Sequence, residues 1–173
     1  MLHAADLDQY GLHNPPAVVH VAESSGLSRD QIRAAEKEFD VEQWVRNSVD
    51  GVGRLIAAAE DGKVPDVEAA IEALQHLEGE LLEPRGQLQE TLDDLEKIRE
   101  RALRGPLGIR GSVLADVTRL SGKLETISQA IGTVLRSYRD GRWNLMTIQA
   151  DREPAGDAPA FEDADSLLAF LKA

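Results

Sequence analysis

The sequence SVLADVTRLSGKLETISQAIGTVLRSYRD, residues 112–140, repeats apolar side chains at alternating spacings of four and three residues. These side chains are Val113, Val117, Leu120, Leu124, Ile127, Ile131, Val134 and Tyr138. Because the spacing averages about 3.5 residues, it keeps all of them on one stripe of an α-helix. Ser112 is a suitable N-cap, and Asp140-Gly141 is a suitable stop. The stretch therefore predicts a long helix of a bundle or a coiled coil.

The preceding segment, residues 66–104, carries a similar but interrupted stripe. Its apolar members are Val67, Ile71, Leu74, Leu81, Leu88, Leu92, Leu95 and Ala102. Charged residues occupy positions at which the same spacing requires apolar ones, namely Glu78, Arg85 and Arg99. Pro84 lacks a backbone donor and lies between Gly79 and Gly86, so we expect a kink or a full break near Glu83. The sequence leaves open whether this segment is one kinked helix or two.

The two long segments are joined by residues 105–111, GPLGIRG, a connection rich in helix breakers that favours an antiparallel hairpin. Charge supports the same pairing. Residues 60–100 hold 13 acidic and 4 basic residues, a net charge of −9, whereas residues 101–142 hold 3 acidic and 8 basic residues, a net charge of +5. Surface ion pairs contribute roughly a few tenths of a kcal/mol each, so they select the partner helix rather than hold the fold. The predicted fold is mainly α, an antiparallel helical bundle built on this long helical hairpin.

Two shorter helices are predicted upstream of the hairpin. A capping-box pattern opens the first, over residues 28–39, and Asp40 opens the second, which ends near residue 61. Within the second helix, Gly51 and Gly53 each lower helix propensity by about 1 kcal/mol relative to alanine. Either they permit close approach of a neighbouring element or they are merely tolerated, and the sequence does not choose between these interpretations.

Two segments depart from helical periodicity. Residues 17–21 and 143–148 are each compatible with a strand, so the fold includes at most a small two-stranded β element from the chain ends. Residues 1–149 are predicted to form a single helical-bundle domain with an N-terminal extended segment. Residues 150–160 are predicted to be a flexible acidic linker, and residues 161–173 a short C-terminal amphipathic helix.

The composition narrows the function classes. A chain without cysteine has no disulfide, thiolate metal site or cysteine nucleophile. Its 19 basic and 31 acidic residues give a net charge of −12, the wrong sign for general attraction to nucleic acid or anionic lipid. No apolar run approaches the roughly 20 residues of a membrane span, and the first residues lack the features of a secretory signal. We therefore expect a cytoplasmic protein that binds no membrane and is disfavoured as a nucleic-acid binder.

Residues with metal-binding chemistry are few. Glu72, His76 and Glu80 share one face of the predicted helix, and a transition metal could use carboxylate and imidazole ligands so placed. The alternative is that this is an acidic, solvated helix face that contains a histidine. We find no pattern typical of a catalytic set, a phosphate loop or a cofactor site, so neither a catalytic residue nor a cofactor is predicted.

Two further segments are candidate binding sites. Arg101, Arg104 and Arg110 gather around the hairpin turn, where they either bind an anion or only complement the dipole of the helix end. The C-terminal segment offers a set of large apolar side chains to a partner or to the bundle itself, either by folding back or by exchange between protomers. These side chains are Phe161, Leu167, Leu168, Phe170 and Leu171.

These patterns favour a non-enzymatic protein–protein interaction module. Its partner is expected to be a protein with a basic or apolar surface, and a homodimer is possible because the stripe of residues 113–138 can be covered either by residues 66–104 or by a second copy. An acidic protein that shields a client, of the chaperone, antitoxin or immunity type, agrees with the charge and size. The alternatives are a metal- or small-ligand-binding helical bundle protein or enzyme, and a nucleic-acid-binding regulator.

Overall fold

The structure, a computed structural model, describes residues 7–15, 18 and 39–153, apart from the side chains of residues 107–109. Within these residues the chain forms one short 3-10 turn and three α-helices and contains no strand. The turn is Asp8–Tyr10, and the helices are α1 (Val41–Glu60), α2 (Val67–Arg104) and α3 (Leu107–Arg152). The predicted mainly α fold is therefore confirmed.

The helices form an up-down-up bundle. Helices α2 and α3 pack antiparallel as the predicted hairpin, and α1 packs chiefly on α3. The N-terminal turns of α1 lie against the middle of α3, where Val41 and Val45 line a groove with Thr126 and Ala130. The C-terminal end of α1 lies against the end of α3, where the Arg152 guanidinium donates to the Ala59 carbonyl. Helices α1 and α3 therefore run in the same direction.

Two of the predicted helix starts are confirmed by their caps. The Asp40 side chain accepts a hydrogen bond from the Gln43 amide at 3.0 Å. The Asp66 side chain accepts one from the Ala69 amide at 2.9 Å. The first amides of a helix have no acceptor within the helix, and each carboxylate supplies one. It also places negative charge where the helix dipole favours it.

The break expected near Glu83 is wrong, because α2 is a single helix that contains Pro84. Pro84 is itself buried, and the turns on either side of it are anchored by the fully buried Leu81 and by Leu88. Packing of these turns against the rest of the bundle offsets the backbone hydrogen bond that the proline removes. The segment is therefore one helix rather than two.

The stop expected at Gly141 and the strand expected at residues 143–148 are also wrong, since α3 continues to Arg152. Gly141 lies at a close contact between helices: a Cβ atom there would be 2.5 Å from Val52 Cγ1 and 3.4 Å from Leu74 Cδ1. The glycine thus permits the approach of α1 and does not end the helix. Helix α3 also includes residues 150–152 of the predicted linker, whereas residues 154–173, with the predicted C-terminal helix, lie outside the described residues.

The two glycines of α1 have different roles. A Cβ atom on Gly51 would be 2.5 Å from the Tyr10 carbonyl oxygen and 2.8 Å from Leu12 Cδ2, so Gly51 permits close packing of the N-terminal segment. Gly53 has no neighbour within 4 Å of such an atom. Close approach is therefore the correct interpretation for the first glycine, and simple tolerance is the correct one for the second.

The hairpin has two halves that differ in what covers them. The covered half comprises residues 67–90 of α2 and 126–152 of α3; there α1 packs along α3, and Val52 of α1 and Leu74 of α2 both lie next to Gly141. Beyond the start of α1, residues 91–104 of α2 and 107–125 of α3 continue as a two-helix projection, which we call the distal arm. The fully buried large side chains of the three helices all lie in the covered half: Leu55, Leu74, Leu81, Ile131, Leu135, Tyr138 and Leu145.

Candidate functional site

The distal arm exposes apolar side chains that its own repeat places on the packing face. Positions 113, 120, 127, 134 and 141 form one column of α3 at seven-residue intervals. In the covered half, Val134 is 0% exposed and Gly141 contacts α1. In the distal arm, Leu120 is 44% exposed. Positions 113 to 134 of the column are all aliphatic, and α1, whose first turns lie against Thr126 and Ala130, does not extend over Leu120.

The same change occurs on α2. Leu77 is buried, whereas Ile98, which lies three heptads further along the helix, is 43% exposed. Near the hairpin turn, both helices contribute to an apolar groove of about 400 Å³. Its lining residues are Ile98, Arg101, Ala102, Gly105, Pro106, Arg110 and Val113. The distal arm therefore presents an apolar strip that is bordered by arginines.

The basic and acidic residues of the distal arm are concentrated in different parts of its length. Ion pairs within each helix occupy part of them: Lys97 with Asp94 at 2.9 Å, Arg99 with Glu96 at 3.1 Å, and Arg119 with Asp116 at 3.3 Å. The Asp94 carboxylate raises the pKa of Lys97, through its hydrogen bond first and its charge second. All of these pairs are exposed, so they contribute little to stability.

The three arginines predicted to gather at the hairpin turn, Arg101, Arg104 and Arg110, do lie there. None of the ion pairs among the described residues involves them, and Arg101 and Arg110 line the apolar groove. The Arg110 Nε atom is buried without a hydrogen-bond partner. Within the described residues, these arginines therefore have no ion-pair partner.

A second groove, of about 750 Å³, runs between α2 and α3 where the distal arm meets the covered half. Its polar lining includes Asp93, Glu96 and Glu125 from the two helices, with small side chains such as Ser121 beside them. The groove adds acidic character to the base of the arm, opposite in sign to the arginines at the tip.

The predicted metal face has a structural role. His76 Nε2 lies 3.4 Å from Glu80 Oε1, and the other oxygen of Glu80 accepts a hydrogen bond from Asn14 Nδ2 at 2.9 Å. No group of three or more His, Cys, Asp or Glu side chains within residues 7–15, 18 and 39–153 is placed to hold a metal ion. Glu80 thus helps to attach the N-terminal segment to α2.

Asn14 is the centre of a polar network inside the covered half. Its amide nitrogen also donates to the Leu77 carbonyl at 2.9 Å, and its side-chain oxygen accepts from the Tyr138 hydroxyl at 2.9 Å. Burial raises the pKa of Tyr138 to about 12; the Ser48 hydroxyl opposes this shift and the Glu80 charge adds to it. One asparagine therefore connects the N-terminal segment to both long helices.

Glu78, one of the charged interruptions of the stripe, joins α2 to α3. It is 8% exposed, and its two oxygens accept from Arg139 Nε at 2.6 Å and Arg142 Nη2 at 3.1 Å. Two guanidinium groups compensate the buried carboxylate, which fixes the register of the hairpin at this level. A spacing analysis treats Glu78 only as a defect and therefore misses its arginine partners, which lie on the other helix.

Sequence reasoning also missed exposed apolar residues of the covered half. Trp143 is 65% exposed, and Met146, one turn further along α3, is 44% exposed. Both residues fall in the segment predicted as a strand. That prediction followed the alternation of apolar and polar residues and not the spacing of a helix face. The predicted partner-binding residues Phe161, Leu167, Leu168, Phe170 and Leu171 lie outside the described residues.

Comparison with protein-family models, with curated proteins and with solved structures finds no significant match to this chain. Within the described ranges, no helix combines the length and the apolar character that a membrane crossing needs.

Proposed function

We propose that the protein is a non-enzymatic protein–protein interaction module and that the distal arm is its binding surface. The observation that carries the proposal is the column of α3 in which Val134 is covered by α1 and Leu120 is not. Exposed apolar side chains at helical spacing are the feature that a partner helix covers in a groove.

The chemistry of the arm agrees with this role. Aliphatic side chains such as Ile98 and Leu120 supply the apolar centre, and the arginines around them supply the charged rim that is common in interfaces. An acidic client-shielding role, of the chaperone, antitoxin or immunity type, is the class of function that we favour for a chain of this size and a net charge of −12. Its partner presents an apolar surface with charged groups around it.

Site-specific photo-cross-linking tests the proposal. A benzophenone side chain at position 120 reports on the arm, and the same group at position 146 is the matched control because Leu120 and Met146 are equally exposed, at 44%. In cells that produce the full chain, we expect a discrete protein adduct from position 120 and none from position 146. Adding Val113→Asp to the position-120 variant should remove the adduct without loss of helical circular dichroism.

Two results would contradict the proposal. The first is equal cross-linking from positions 120 and 146, which would mean that the arm has no special affinity. The second is the absence of any adduct from position 120.

A further inference from the structure

We propose that the partner of the distal arm is the distal arm of a second copy of this chain, packed antiparallel so that the tip of each arm lies against the base of the other. This inference rests on the proposed function, since it identifies the partner of the same surface. It depends on three further observations: the charge pattern along the arm, the matching apolar strip on both of its helices, and the reach of the remaining chain.

The charge pattern favours an antiparallel pair. The tip, residues 99–110, holds 4 basic residues and 1 acidic residue, a net charge of +3. The rest of the arm, residues 91–98 and 111–125, holds 5 acidic and 3 basic residues, a net charge of −2. Antiparallel packing brings each basic tip against an acidic base, twice per dimer, whereas parallel packing would bring tip against tip and base against base. Complementary charge of this kind steers association and fixes orientation.

The charge of the whole chain also favours contact through the arms. Residues 91–125 hold 7 basic and 6 acidic residues, a net charge of +1. Because the whole chain has a net charge of −12, the residues outside the arm have a net charge of −13. Two copies that meet through their nearly neutral arms keep their acidic bodies apart.

The apolar strip is self-complementary in the way a two-fold dimer requires. A two-fold interface uses the same patch on both copies, and the strip has an exposed aliphatic residue on each helix, Ile98 on α2 and Leu120 on α3. Two antiparallel hairpins that stack through such strips form a four-helix bundle, with α2 over α2 and α3 over α3 of the partner. In the dimer, the partner's arm would cover the apolar strip of the distal arm, as α1 covers the apolar stripe in the other half of each chain.

A helix over residues 161–171 of the same chain would not reach Leu120. Leu120 lies about 50 Å from the end of α3, at 1.5 Å per helical residue. Residues 154–160 span at most about 25 Å when extended. A helix over residues 161–171 adds only about 16 Å. A second copy has no such restriction.

Sedimentation equilibrium of the full chain tests the pairing, over a dilution series from nanomolar to about 100 micromolar. We expect a reversible monomer–dimer equilibrium. Leu120→Asp should raise its dissociation constant at least about tenfold, because the charge would be buried within the interface. Met146→Asp is the matched control, since Met146 is equally exposed at 44% but lies outside the arm, and it should leave the constant unchanged within about twofold.

The orientation is tested by cross-linking, which is straightforward in a chain without cysteine. Single cysteines replace Arg104 at the tip and Thr91 at the base, both of which are exposed. We expect the mixture of Arg104→Cys and Thr91→Cys proteins to form a mixed disulfide under mild oxidation. Each variant alone should form its own disulfide much more slowly.

The outcomes separate this inference from the proposed function. A chain that stays monomeric to the highest concentration, together with a position-120 adduct of another mass, would overturn the second-copy assignment and leave the arm as a binding surface for a different protein. A monomeric chain without any adduct would overturn both, and it would assign the cover of the arm to residues 19–38 of the same chain. The inference would also be overturned if Leu120→Asp and Met146→Asp changed the dissociation constant equally. It would be overturned as well if the tip cysteines formed a disulfide with each other.

Discussion

The covered half and the distal arm are built from the same repeat and differ in their third helix. Along one column of α3, Val134 is fully buried beneath α1 and Leu120 is nearly half exposed. The covered half adds to this apolar packing a polar network around Asn14 and the ion-paired Glu78. The arm has only exposed pairs within each helix. The comparison shows that one continuous apolar stripe can be core in one half of a hairpin and surface in the other.

The largest difference between the halves is expected from one charge placed at two positions of this column. Val134→Asp buries a carboxylate without a partner and should lower the free energy of unfolding by more than about 4 kcal/mol. Leu120→Asp should lower it by about 1 kcal/mol, because the side chain reaches water. Urea denaturation at the lowest usable concentration measures both, since dilution minimises any pairing of the arms. Similar losses at the two positions would mean that the arm is as well covered as the rest.

Alkaline pH should weaken the covered half through Tyr138. Its pKa is raised to about 12 by burial, so the folded state favours the neutral phenol. The contribution is therefore complete below the unfolded pKa near 10 and is lost as the pH rises from about 10 to 12, by roughly 3 kcal/mol at most. The unfolding free energies of the wild type and Tyr138→Phe are measured across this pH range. Their difference isolates the contribution of Tyr138 ionisation. A difference that does not change with pH would contradict the assignment.

A third prediction compares two glutamates on α2. Glu78→Gln removes the charge that compensates two arginines and should lower the free energy of unfolding by about 2 kcal/mol. Glu96→Gln removes half of an exposed pair with Arg99 and should cost less than about 0.5 kcal/mol. Thermal or chemical denaturation of the two variants decides the matter. Equal effects would show that the Glu78 pair is no better shielded than a surface pair.

The last pair of substitutions has effects of opposite sign in the two halves. A Cβ atom at Gly122 in the arm has no neighbour within 4 Å, so Gly122→Ala should stabilise the fold by about 0.5 to 1 kcal/mol through helix propensity. At Gly141 the same change forces a contact with Val52, whose buried branched side chain has little room to move, and should destabilise by about 1 to 3 kcal/mol. Matched melting curves test both signs. Stabilisation by Gly141→Ala would show that α1 is not held closely against α3.

Periodicity was sufficient to predict the hairpin, because each long helix repeats its apolar positions every three or four residues wherever a neighbour must be covered. The helix start at Asp40 was equally readable, since its cap depends on a bond within a few residues. The start expected at Ser112 was wrong, because α3 already begins at Leu107. The other errors came from residues whose roles depend on distant partners. Pro84 and Gly141 were interpreted as breaks, yet burial of Leu81 and the approach of Val52 make both compatible with continuous helix.

The candidate site was less predictable than the fold. The arginines of the tip were located by sequence, but nothing in the local pattern distinguishes Leu120 from Val134, since both belong to the same column. Their difference depends on where α1 begins along α3. That position is set by contacts such as the groove shared by Val41 and Thr126, which join residues far apart in the chain.

The sequence by itself therefore determined the helical class, the hairpin and the division of charge, because these follow from spacing and composition along one chain. Only the tertiary structure decided which parts of the stripe are core and which are surface. Burial of a side chain is a property of the elements packed around it, and α1 is long enough to cover only one half of the hairpin.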